Sequence, residues 1–226
     1  MTTMNVDILD AAQELQSRLV PGDLDSTLHA ITHAAVEVMP GVDHASLSMR
    51  HADGSLNSYA VTGDIIVRLD ERQFELHEGP CYDGATNNPF AVSADLLADP
   101  RYPQYGPFAA GLGIRSQAGI RLFENRKTVA ALNLFGAEVG AIAGVAALSR
   151  LFAHQAAVAL AYSMEIQGLN DALRSRSRIG QAVGIIMERY KLPEEQAFAF
   201  LTRLSQHGNI KLRRIADDLV AAVGKR

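Results

Sequence analysis

The chain has 226 residues, of which 48% are hydrophobic and 20% charged, with a formal net charge of -4, as expected of a soluble globular protein of one or two domains. No apolar run approaches the ~20 residues a membrane span needs, and Met1-Thr-Thr-Met-Asn-Val-Asp7 lacks the basic region of a secretory signal, so a bacterial-type cytoplasm is the expected location. A single cysteine, Cys81, excludes an internal disulfide and a cysteine-built zinc site.

In chain order, residues 8–20 predict an opening helix with Leu9, Ala12, Leu15 and Leu19 on one side, broken at Pro21-Gly22-Asp23. A second helix is expected from about Ser26 to Met39, with Leu28, Ile31, Ala35 and Val38 turned inward, and Pro40-Gly41 ends it. Ala45 to Arg50 alternates apolar and polar residues, which predicts a half-buried strand. Ala52-Asp-Gly-Ser55 is a hairpin signal, and Leu56 to Val61 returns as the next strand. Helices and loops are expected from Asp64 to Gly113, followed by strands at Ser116–Phe123 and Thr128–Phe135. The order describes an antiparallel sheet with helices packed against it, an α+β design.

Four segments of this region resemble the GAF domain family: Glu78-Gly-Pro-Cys-Tyr-Asp83, Asp99-Pro-Arg-Tyr-Pro103, Gly113-Ile-Arg-Ser116 and Ala130-Ala-Leu-Asn-Leu-Phe135. The resemblance implies a pocket between the sheet and the helical middle, open to an unknown small-molecule effector. Phe74, Cys81, Tyr82 and Phe90 are the expected wall. No cofactor is evident.

From about Ala141 one helix is expected to run without a break to Tyr190. Val145, Phe152, Ala159, Ile166 and Leu173 recur every seven residues, and Leu148, Gln155, Tyr162, Leu169 and Arg176 stand three further on. This a/d seam predicts that the first half covers the sheet and the second half pairs with another chain as a coiled coil, giving a homodimer.

Charge is divided unevenly. Residues 166–226 hold 11 Lys and Arg against 6 Asp and Glu, a net +5, while residues 1–165 hold 10 against 19, a net -9. A basic tail on an acidic front points to a nucleic-acid partner for the tail. Three amphipathic helices are legible there. The first carries Leu169, Leu173, Ile179, Ala182, Val183, Ile186 and Met187; the second opens at Pro193 and turns Ala197, Phe198, Leu201 and Leu204 to one face; the third is capped by Asn209 and aligns Leu212, Ile215, Ala216, Leu219 and Val220.

This tail resembles the ANTAR domain, an RNA-binding module of bacterial transcription antiterminators. The matching residues are Arg178-Ile179, Ala182-x-Gly-Ile-Ile-Met187, Ala197-Phe198 with Leu201, and Asn209-x-Lys-Leu212 followed by Ile215-Ala216. Val183 stands where many members carry Lys. The combination with a GAF domain is that of actinobacterial regulators. The resemblance implies binding to a pair of RNA hairpins in transcript leaders. The candidate contacts are Arg176, Arg178, Gln181, Arg203, Gln206, Asn209, Lys211, Arg213 and Arg214, whose cations suit phosphates and whose amides and guanidinium groups suit exposed loop bases. Against this, Arg213 with Asp217 and Arg214 with Asp218 are i, i+4 neighbours of the kind that solvates a helix face.

Gly180 and Gly184 lie four apart on one helix and are expected to admit a packed neighbour, in preference to RNA. Cys81, after Pro80, is expected to be buried and inert in preference to a thiolate sensor. His29 and His33 share a helix face without a partner to complete a metal site, and the other histidines are scattered. No Walker loop, nucleophile elbow, kinase signature or paired-His zinc motif occurs, so no enzyme is expected.

The expected architecture is therefore a GAF-like sensor and dimerisation domain over 1–165, a long connecting helix, and an all-α ANTAR-like domain over 166–226. The expected function is a signal-responsive antiterminator that binds paired hairpins in nascent RNA and prevents a terminator from forming. The alternatives are a DNA-binding regulator with a helix-turn-helix tail, which leaves no room for a recognition helix after Leu212–Ala216, and a ligand-binding or scaffolding module that only dimerises.

Overall fold

The computed structural model describes residues 22–125, 128–144 and 146–223, and the chain divides into two compact units between Met164 and Glu165. The helix expected over residues 8–20 lies outside the described residues.

Helix α1 spans Leu24–Val38, and Asp23 caps it by accepting a hydrogen bond from the Ser26 N–H at 3.1 Å. Its buried side includes Leu28, Ile31 and Ala35, as expected. The strands are β1 His44–His51, β2 Leu56–Tyr59, β3 Phe90–Ser93, β4 Ser116–Glu124 and β5 Thr128–Gly136. They form one antiparallel sheet in the order β2-β1-β5-β4-β3. Gly54, at φ 85°, makes the β1–β2 turn, where the His51 N–H donates to the Ser55 carbonyl at 2.8 Å. β2 stops short of the expected Val61, because Ala60 adopts a left-handed φ of 49° that leaves the strand.

Two departures concern the sheet. β3 occupies a stretch read as helix and loop; four residues are too few to show a period. β1 is not half-solvated. Its polar positions Ser46 and Ser48 are as buried as Ala45 and Leu47, because both faces of the sheet are covered. On the first face Leu47, Leu132 and Ile120 pack with Leu28 and Ile31 of α1 and with Phe152, Ala156 and Leu160. On the second lie α2 Asp64–Leu76, α3 Pro80–Thr86 and α4 Tyr105–Gly111, whose apolar core includes Ile66, Leu69, Cys81, Tyr105 and Phe135.

After the short helix α5, Ala141–Gly144, α6 runs over Ala146–Tyr190. Its first part belongs to the sheet unit, where Ser163 and Thr27 of α1 share a hydrogen bond of 2.8 Å between their hydroxyls. Tyr162, Ile166, Leu169 and Leu173 are 57%, 41%, 60% and 66% exposed, so the two halves of the predicted seam meet different surroundings.

In the second unit, α6 packs with α7 Glu194–Gly208 and α8 Leu212–Val223. Their core is Ala182, Val183, Ile186, Ala197, Leu201 and Ala216. Leu169 and Leu173 are not on it, and Phe198 and Leu204 of the expected α7 face are exposed. Pro193 sits at the N-cap of α7, not inside its first turn, and its carbonyl accepts from the N–H groups of Gln196 and Ala197. Asn209 does not cap α8. It ends α7 in the left-handed region at φ 48°, a conformation Asn tolerates better than most residues. The Lys211 carbonyl instead accepts from the Arg214 N–H at 2.9 Å at the start of α8.

Candidate functional site

In the second unit, Arg174, Ser175 and Arg178 of α6 face Arg213 and Asp217 of α8 across a shallow groove that also includes Asp171. The Arg178 Nε lies 3.6 Å from the Asp217 carboxylate, and its Nη1 donates to Gln181 Oε1 at 3.3 Å. Asp217 therefore turns to α6, not to Arg213. Among the described residues Arg213, Arg214 and Asp218 form no ion pair, so the i, i+4 pairs expected along α8 are absent. Both members of the Arg178–Asp217 pair are about half exposed, where such a contact is weak and readily exchanged.

The candidate contacts thus divide. Arg178 and Arg213 share the groove, with Gln181 beside them. Lys211 and Arg214 stand exposed at the start of α8, Arg203 and Gln206 are exposed on α7, Asn209 lies in the turn between them, and Arg176 is exposed on α6 outside the groove. Arg174 completes the cluster and was not among the predicted contacts; its position four residues before Arg178 is the signal that points to it.

The packing role expected for Gly180 and Gly184 is overturned. A Cβ built on either would meet nothing within 4 Å, because this face of α6 looks outward. Gly184 instead lines a groove along α8 with Gln181, Ile185, Glu188, Arg189, Val220 and Val223.

In the first unit a buried polar layer lies between the sheet and α2–α4. Asp70 Oδ2 accepts from the hydroxyls of Ser46 at 2.8 Å and Ser58 at 2.6 Å, while its Oδ1 has no partner among the described residues. Burial pushes the Asp70 carboxyl up to about 6. Asn133 Nδ2 donates to Ser46 and Ser48 at 3.0 and 2.6 Å. Beside them Gln73 Oε1 accepts from the Cys81 N–H at 2.9 Å and from Gln117 Nε2 at 3.1 Å, and the Tyr105 hydroxyl donates to Gln117 Oε1 at 2.7 Å. Cys81 is fully buried. Desolvation, then the nearby Asp70 charge, pushes its thiol up, which outweighs its place at the start of α3.

The expected pocket wall is not assembled. Cys81 belongs to this layer. Tyr82 is half-buried against the His77 ring, and Phe74 is half-buried on α2. Phe90 points to the opposite face of the sheet, beneath the Arg150 guanidinium at 4.1 Å from its ring centre. His29 and His33 are both exposed with ring centres 6.3 Å apart, and among the described residues no three His, Cys, Asp or Glu side chains gather as a metal site. No described helix is long and apolar enough to cross a membrane.

Among solved structures, the chain is similar to the N-acylhomoserine lactone dependent LuxR family transcription factor CepR2 from Burkholderia cenocepacia, at 14% identity and a TM-score of 0.55, covering 71% of this chain and 99% of that one. It is similar to the GAF domain of a phosphoenolpyruvate-protein phosphotransferase from Coxiella burnetii, at 15% identity and 0.55, covering 74% and 99%. It is also similar to a free methionine-R-sulfoxide reductase from Neisseria meningitidis, at 13% and 0.52, covering 70% and 89%. These likenesses concern the fold alone, which carries a regulator and an enzyme alike. A comparison with curated proteins gives no match. The GAF domain model matches residues 23–160 and the ANTAR domain model residues 167–220, a regulatory pairing. The chain belongs to the GAF domain family and carries an ANTAR domain behind it, the architecture of a sensor-regulated ANTAR regulator.

Proposed function

We propose that this protein is a signal-responsive transcription antiterminator, of the kind found in actinobacteria, that works in the cytoplasm. Its ANTAR unit binds paired hairpins in nascent transcript leaders and prevents a terminator from forming. The observation that carries this reading is the groove between α6 and α8, where Arg174, Arg178 and Arg213 gather in a unit that matches the ANTAR model. Guanidinium groups fixed on two packed helices offer bidentate contacts to phosphate at little cost in side-chain order. A phosphate entering the groove would displace the Asp217 carboxylate from Arg178, a half-exposed contact that is easily given up.

No covalent step is required. Binding free energy competes directly with RNA refolding. The GAF unit supplies the input, through a small-molecule effector or through dimerisation. The exposed apolar row Tyr162, Ile166, Leu169 and Leu173 supports pairing of α6 with its counterpart in a second copy. Recovery of the RNAs bound by the protein in its host tests the reading. Transcripts with paired hairpins ahead of terminators are expected; a bound set without them would overturn it.

A further inference from the structure

The second unit has three aromatic side chains, Tyr190, Phe198 and Phe200, and leaves all three at least 40% exposed. Large apolar rings are the groups a small domain gains most by burying, yet this core is closed by alanines, leucine, isoleucine and valine. Two of the rings are arranged. Tyr190, at the end of α6, and Phe200, on α7, have ring centres 6.0 Å apart and planes inclined by 40°. They line a groove of about 290 Å³ together with Leu204, Ile215 and Leu219. Arg189 and Asp218 stand on its walls, and among the described residues neither is held in an ion pair. Arg189 also borders the neighbouring groove along Gly184, where the helix carries no side chain.

An apolar protein surface docking here would bury the charges of Arg189 and Asp218 without partners, which is costly. A nucleobase would not. It has a flat face for the rings, a donor edge for a carboxylate and a phosphate within reach of a guanidinium. At about 290 Å³ the groove stands at the lower end of small-molecule sites and has room for one planar base. The net charge of +5 over residues 166–226 favours the same occupant.

Resting on the RNA-binding reading, we propose that Tyr190 and Phe200 form a stacking platform for one unpaired base of the bound RNA. Arg189 takes the adjacent phosphate, and Asp218 accepts a hydrogen bond from the base's exocyclic amine, so the platform prefers adenine, cytosine or guanine to uracil.

The test uses the full chain and a pool of RNAs with two short stems and randomised loops. The tightest binder is remade with 2-aminopurine at each loop position in turn. One position is expected to lose fluorescence on binding. Tyr190→Leu and Phe200→Leu should abolish that change and weaken binding about tenfold without altering its salt dependence. Tyr190→Phe and Phe200→Tyr should keep both. Circular dichroism confirms that each variant folds. If the leucine variants bind as the parent does and keep the fluorescence change, the platform is wrong while RNA binding stands. If they alter only the association state, the patch is a protein interface and the proposal fails. If the parent captures no RNA from the pool, the platform falls together with the reading it rests on.

Discussion

Gly119 of β4 lies directly beneath Pro80 of α3: a Cβ on Gly119 would stand 1.9 Å from the Pro80 carbonyl oxygen. Gly84, one turn further along α3, meets the Gly119 main chain in the same way, at 2.8 Å from a built Cβ. The helix therefore rests on the sheet backbone to backbone. Gly119→Ala should destabilise the protein by about 3 kcal/mol, since neither backbone can yield without moving a strand or a helix. Denaturant unfolding would measure it. A loss below about 1 kcal/mol would mean that α3 moves easily off the sheet.

Asp70 makes stability depend on pH in an unusual direction. Its folded pKa, pushed up by burial to about 6, lies above the 3.8 of a solvated aspartate. Between those values the folded state holds the proton more tightly than the unfolded state does. The neutral form is thus the stabilising one, fully effective below 3.8 and lost as pH rises through about 6. Asp70→Asn removes this titration. The stability of the parent relative to the variant should fall by roughly 2 to 3 kcal/mol from pH 4 to pH 7. Other carboxylates cancel in the comparison, and Asp99, held down to about 2 chiefly by its hydrogen bonds with Arg101, titrates below this window. A flat difference across the range would show that water reaches the Asp70 carboxylate.

Much of this arrangement was legible in the residues. Alternation predicts the strand at Ala45–Arg50, strands are also expected at Ser116–Phe123 and Thr128–Phe135, and apolar stripes predict the tail helices; β1, β4, β5, α7 and α8 lie close to those bounds. Alternation reports that a strand has two faces, but not what covers the second. Ser46 and Ser48 read as solvent-facing but lie in a buried layer, where Ser46 donates to Asp70 and Ser48 accepts from Asn133, residues distant in sequence. The expected pocket residues lie apart for a related reason. Cys81 and Phe90 are nine apart, but β3 turns Phe90 to the opposite face, and a four-residue strand leaves no period to reveal that. On α7 the buried stripe is narrower than the apolar pattern predicts. A three-helix unit this small closes its core on Ala197 and Leu201 and leaves Phe198 and Leu204 outside.

Gly180 and Gly184 stand within α6 with open space where side chains would be. Replacing both with Ala should stabilise the helix by roughly 1 kcal/mol per site, because alanine is the better helix former and no neighbour is displaced. If the glycines are there to admit an RNA backbone, the same variant should bind hairpins more weakly while melting at a higher temperature. Higher stability with unchanged affinity would leave the glycines without a role in binding.

The exposed row on α6 predicts a homodimer. Ile166→Asp with Leu169→Asp would bring four like charges into a two-stranded seam, and neither side chain belongs to a core of its own chain. The variant should sediment as a folded monomer at concentrations where the parent is a dimer. A parent that is monomeric at micromolar concentration would remove the basis for this pairing.

Lys211 and Arg214 stand three residues apart at the start of α8, both exposed, while Ile215, Ala216 and Leu219 face the core. Arg214 forms no ion pair with Asp218 among the described residues, so its side chain is not committed within the fold. The helix is anchored independently of both side chains, through the Lys211 carbonyl and the Arg214 N–H. Lys211→Ala with Arg214→Ala should therefore leave stability within about 0.5 kcal/mol of the parent, as exposed substitutions away from special features do. Each cation that neutralises a phosphate contributes close to one counterion to the salt dependence of binding. The double variant should flatten that slope by up to about two and weaken hairpin binding most at low salt. A residue that reads a base instead would lower affinity with a smaller change of slope. Circular dichroism followed by titration of a two-hairpin RNA at several salt concentrations separates these outcomes. If the folded variant binds with the affinity and slope of the parent, Lys211 and Arg214 only solvate α8. The phosphate contacts would then fall to Arg174, Arg178 and Arg213 in the groove beside them.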